Sequence, residues 1–187
     1  MVLEVVTYGH PALRSKGRKV AEIDDRLRRL AADMVDTMRE KNGVGLAAQQ
    51  VGVSMQLFVL EVLQNEERPG KMWKNGQESP FDHLMPLVVI NPEIEPEGEI
   101  ESEQEGCLSF PDVFGEVPRP SRVRLRALGL DGQPIDFLAG GLLARAIQHE
   151  YDHLQGTLFI DRMDAQTRRE LEPAIAMLSR SNTAFPE

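Results

Sequence analysis

His149 and His153 stand four residues apart in a mostly apolar stretch, residues 142–154, and that spacing constrains this chain more than any other feature. In a helix, side chains at i and i+4 lie on one face, so both imidazoles can reach a single ion. Leu142 and Ala146 fall on the same stripe, which turns the histidines inward. Inward-facing imidazoles need polar partners, and a metal supplies one. Glu150 is turned by about 100° from His149. It is badly placed to join the pair as a ligand and well placed to act as general base on a water at that ion, as in helical His-Glu-x-x-His sites. The bland alternative is two hydrogen-bonded core histidines beside a surface glutamate.

A catalytic site of the zinc type takes three protein ligands and keeps one position open. His10, in a Gly-His-Pro turn, and His83, in a polar segment, read as exposed loop residues. Cys107 is better placed, in Glu105-Gly106-Cys107-Leu108-Ser109-Phe110-Pro111 just after a predicted strand, with Gly106 easing the backbone past an ion. It is the only cysteine, so an internal disulfide and a site of paired cysteines are both excluded. A lone cysteine is a buried hydrophobe, a nucleophile or a ligand. A thiolate with two imidazoles suits zinc or another late first-row divalent ion, not magnesium or calcium.

The rest of the chain predicts an α+β fold. Residues 24–41 form a long N-terminal helix, with Leu27, Leu30, Ala31, Met34, Val35 and Met38 at helical spacing, Asp24 or Asp25 as its cap and Asn42-Gly43 as its end. Short antiparallel strands are expected at 56–62, 87–90, 123–130 and 135–138, packed around the central histidine helix. Residues 63–86 read as a long polar loop insertion holding Trp73. Every odd position from Glu93 to Glu105 is glutamate, a solvated strand face, and Pro96-Glu97-Gly98 suggests a hairpin turn. Asp164 caps a C-terminal helix that Pro173 should kink or interrupt. The whole, residues 1–187, is expected to be a single domain.

The net charge of −9 argues against nucleic acid or an anionic membrane surface as a partner. No apolar run is long enough to span a bilayer and no signal-peptide pattern stands at the start, so the expected location is cytoplasmic.

Three ordered segments resemble peptide deformylases, which remove the formyl group from the initiator methionine of new bacterial and organellar proteins. They are Gly43-Val44-Gly45-Leu46-Ala47-Ala48-Gln49-Gln50, Glu105-Gly106-Cys107-Leu108-Ser109 and Gln148-His149-Glu150-Tyr151-Asp152-His153-Leu154. The segment Gly9-His10-Pro11-Ala12-Leu13-Arg14 is also similar to the start of that family. The resemblance implies one divalent metal, iron(II) foremost and nickel, cobalt or zinc as alternatives, held by Cys107, His149 and His153. Glu150 would be the general base, and Gln50 and the backbone N–H of Leu108 would face the oxyanion. Val44, Gly45, Leu46 and Gly106 would line the substrate groove, and the partner would be N-formylmethionyl nascent peptide, with transient ribosome contact left open. A tight floor at the metal would exclude acetyl by its extra methyl. Phe114 stands where some members carry arginine, and Glu105 and Arg119 would pair beneath the metal loop.

Three alternatives remain at this stage. A metalloprotease would draw a third ligand from further along, with Glu170 and Glu172 as candidates. A metal-free hydrolase would use Cys107 as nucleophile. A structural metal module would close the site with a fourth protein ligand.

Overall fold

A computed structural model describes residues 1–182. Helix α1 spans Asp25–Glu40, with the Asp24 carboxylate accepting from the Leu27 N–H at 2.8 Å as its cap. Strands β1 (Gly45–Ala47) and β2 (Leu57–Leu60) follow, then β3 (Gly70–Lys74) and β4 (Gln77–Glu78). Two long strands, β5 (Leu87–Cys107) and β6 (Phe110–Leu128), precede β7 (Pro134–Gly140), helix α2 (Gly141–Leu154) and helix α3 (Ala165–Asn182). Among the described residues this makes an α+β fold of three α-helices and a seven-stranded sheet ordered β1-β2-β5-β6-β7-β3-β4, with every neighbouring pair antiparallel.

Strand β2 is buried on both faces, and the strand period of two divides its side chains between two cores. Leu57 and Val59 join Leu27, Met34 and Met38 of α1, while Phe58 and Leu60 join Ala144, Ile147 and Leu154 of α2. Helix α2 is thereby clamped by sheet, and nearly every residue from Leu143 to Leu154 is buried. A third cluster, with Phe110, Val113, Val117, Phe159 and Ile175, packs α3 on β6.

Four sequence expectations need correction, the last two only in part. Residues 63–86 are not a structureless loop: Asn75 and Gly76, both at positive φ, close the β3–β4 hairpin, and β3 pairs with β7. An Asn-Gly pair is a strong hairpin signal, here masked by polar surroundings. Pro96-Glu97-Gly98 does not reverse the chain. Strand β5 continues through it with a register shift between Glu97 and Ile100, and Gly98 adopts φ 84°. The glutamate face is solvated from Glu93 to Glu101, as expected, and departs from that only at its far end. Glu93, Glu95 and Glu97 stand opposite Arg126, Arg124 and Arg122 across β6, and Glu105 is buried. Finally, of the two outcomes expected at Pro173, interruption does not occur, since α3 continues through it. The proline forfeits one helical hydrogen bond, but Leu171, Ile175 and Leu178 keep one stripe packed on the core.

Candidate metal centre

Cys107 ends β5, and His149 and His153 project from successive turns of α2. One ligand atom from each lies within 4.8 Å of the others, the group among the described residues able to hold a metal. The two imidazole centroids are 5.1 Å apart, and Cys107 Sγ lies 3.4 Å from His153 Nε2. His149 Nδ1 bonds Glu105 Oε2 at 2.9 Å, which leaves its Nε2 for the centre. His10 instead caps its own turn, accepting from the Ala12 N–H at 3.2 Å, and His83 lies in a separate short turn. Glu170 and Glu172 are exposed on α3, engaged with Gln166 and Arg168.

The donor set fits a catalytic ion. A thiol and two imidazoles match a late first-row divalent metal, and a cleft of about 830 Å³ reaches Cys107, His149 and Glu150. Glu150 is 4% exposed and its Oε2 has no hydrogen-bond partner, a costly arrangement for a purely structural glutamate. Burial pushes its carboxyl up to about 7. Burial also opposes charging of His149, but Cys107 and Glu105 hold that imidazole well above its usual range. Burial and the neighbouring His149 hold His153 well below it. These directions belong to the polypeptide alone; a divalent ion on the donors would favour neutral imidazoles and an ionised thiol.

Beneath the donors lies a buried charge network. Arg119 forks onto Glu105 at 2.6 and 3.0 Å and reaches Asp152 at 2.8 Å, forming the expected Glu105–Arg119 pair. Arg145 adds a 2.9 Å bond to Glu105, and Arg162 a 2.8 Å bond to Asp152. Burial alone would raise the Glu105 carboxyl, yet His149 and Arg119 hold it far below the usual range. Glu105 is therefore an anion that fixes one His149 nitrogen and sits on two arginines.

Gln50 enters from the short turn Ala48–Val51. Its Oε1 accepts from the Ala47 N–H at 2.9 Å, which directs Nε2 toward Cys107 Sγ at 3.4 Å and Ser109 Oγ at 3.3 Å. Val44, Gly45, Gly106 and Leu108 line the cleft. Leu46 does not: it is fully buried in the α1 core, because alternation along β1 points it away from Gly45's side. Leu142 and Ala146, read first only as signs of an inward stripe, line the cleft, as do Arg68, Arg145 and Phe114. Arg68 and Arg145 reach the cleft from separate elements, which no local pattern announces.

The polypeptide deformylase family profile matches residues 2–169. The chain belongs to this family. The peptide deformylase of Methylacidiphilum infernorum is 43% identical over 180 residues, 96% of this chain and 94% of that one. That of Opitutus terrae is also 43% identical, over 98% of this chain and 96% of that one. A crystal structure of the Synechococcus elongatus peptide deformylase with actinonin has a TM-score of 0.78 at 40% identity, covering 94% of this chain and 85% of that one. A Plasmodium falciparum peptide deformylase has a TM-score of 0.81 at 34% identity, covering 98% and 99%. As in that family, the chain is a hydrolase with a candidate metal site, at Cys107, His149 and His153. No helix among the described residues is long and apolar enough to cross a membrane.

Proposed function

We propose that this deformylase removes the formyl group from the N-terminal methionine of newly made proteins, with one iron(II) ion on Cys107, His149 and His153. The observation that carries the assignment is the convergence of these donors beside a buried glutamate whose Oε2 is unpartnered. When bound, the ion supplies Lewis-acid activation of water and of the formyl oxygen.

The polypeptide does the rest. Glu150 takes a proton from the attacking water and delivers it to the leaving amine. Water oxygen bonds to the formyl carbon, the carbon–nitrogen bond breaks, and formate and a free amino terminus leave. Gln50 Nε2, held by its tied-off oxygen, and the Leu108 N–H donate to the oxygen that gains charge. Val44, Gly45 and Gly106 flank the peptide, and Ala146 and Leu142 offer an apolar path to the methionine side chain. A tight floor beside the ion would exclude acetyl by the clash of its extra methyl, so formyl is the group removed. The enzyme works in the cytoplasm; co-sedimentation with ribosomes tests a transient contact there.

The deciding measurement is formate release from formyl-Met-Ala-Ser by protein purified without oxygen and loaded with iron(II), with the acetylated peptide as control. Release from the formyl peptide alone, lost in Glu150→Ala, supports the assignment. Internal peptide cleavage would favour a metalloprotease, and activity insensitive to chelators a Cys107 nucleophile.

A further inference from the structure

The catalytic cleft shares a wall with a second cavity. Arg68, Gln104 and Leu142 line both the cleft and an outer cavity of about 680 Å³. Trp73, the only tryptophan, lines the outer cavity, where its indole lies against Gly140. On the cleft side, α2 offers one stripe from His149 through Ala146 to Leu142. Those two turns of helix span roughly 10 Å. A linear side chain that starts near the metal donors and follows this stripe therefore runs toward the shared wall.

Arg68 is the exposed, rotatable cation in that wall. Its Nη2 donates to Glu103 Oε2 at 2.7 Å and, more weakly, to the Gln104 carbonyl at 3.4 Å. Glu103 is itself 3.5 Å from Arg145 Nε, a side chain fixed by Glu105 and by the Val117 and Glu101 carbonyls. The tether thus runs from a segment before β3 to the buried network.

We infer that Arg68, tethered by Glu103, is the end-stop of the pocket for the first side chain and sets the longest one the enzyme accepts. This rests on the deformylase reading and deepens it to a specificity-determining residue. A methionine side chain ends before the wall. A longer alkyl chain has to displace a guanidinium from its carboxylate and lie against the charge. Without the Arg68 side chain, the passage opens onto Trp73, whose indole gives the alkyl end an apolar surface.

The test compares kcat/KM for formyl-Met-Ala-Ser and formyl-2-aminodecanoyl-Ala-Ser in the iron(II)-loaded parent and in Arg68→Ala. The ratio of long-chain to methionyl substrate is expected to rise at least about tenfold in the variant, the scale on which pocket fit discriminates alkyl groups. Glu103→Gln, which frees the guanidinium without removing it, is expected to move the ratio the same way by less. Trp73 emission gives a readout without turnover: the deformylated aminodecanoyl product should shift it to the blue in Arg68→Ala and leave it unmoved in the parent. An unchanged ratio, or equal emission in both proteins, overturns the end-stop while formyl-Met hydrolysis keeps the deformylase reading. A parent that releases formate from neither peptide sinks both.

Discussion

Gly45 and Glu150 compete for one small volume. A Cβ on Gly45 would come within 2.4 Å of Glu150 Oε1 and 2.8 Å of its carboxyl carbon, so only a glycine lets β1 pass this close to α2. Gly45→Ala is expected to swing the carboxylate aside and reduce kcat/KM by about 100-fold, the cost of an ångström-scale misplacement. Metal content should stay at the parental level, which separates this effect from loss of the centre; a parental rate would show that the carboxylate need not sit there. Glu150→Gln asks a different question, since it keeps the shape and removes the charge. Glu150 is buried with an unpartnered oxygen, so the neutral amide should leave the melting temperature equal or higher. The same change should lower kcat by roughly 10²- to 10⁴-fold, the span of a lost general base.

At the scale of elements, the end of β5 and the middle of α2 are joined by Glu105 and its partners. Glu105→Gln keeps the volume but leaves Arg119 and Arg145 buried with less compensation. Breaking such a pair costs about 3–5 kcal/mol, and loosening a ligand's orienting carboxylate weakens metal binding by roughly 10- to 100-fold. Denaturant unfolding and metal retention against a chelator measure the two separately. The pH dependence has a definite sign. Because the folded carboxyl is held below its unfolded value, near about 4.3, its contribution is complete above that value and is lost as pH falls toward the folded one. The glutamine variant should lose that part of the acid slope. The histidine helix and α1 were legible in the sequence because their signals are local: a stripe and a cap. Other features depend on distant strands. The glutamates of β5 acquire meaning only opposite Arg122, Arg124 and Arg126, and Met72 and Trp73 become a strand only by pairing with β7. Leu46 was expected in the cleft from the family resemblance, but a step of one residue along a strand changes faces and turns its side chain into the α1 core.

For the molecule as a whole, the candidate metal centre lies where the three cores meet. Cys107 packs with the α3 cluster, Leu108 with the α1 cluster, and Ala146 and Ile147, just ahead of His149, with the α2 cluster. An ion held by Cys107, His149 and His153 would therefore tie the end of the long β5–β6 ribbon to the buried helix, and binding that favours the folded chain adds to its stability. At a free metal concentration 1,000 times the dissociation constant, that linkage is worth about 4 kcal/mol, or roughly 10 °C in melting temperature for a domain of this size. Chelation should lower the parental melting point by that order. Cys107→Ser, which replaces the soft donor, should start lower and respond little to the chelator. Glu150→Gln leaves all three donors in place and should keep the full chelator response while its turnover falls. Scanning calorimetry of the three proteins with and without chelator thus separates the ion's contribution to the fold from its part in the reaction, and an equal response in Cys107→Ser would remove Cys107 from the ligand set.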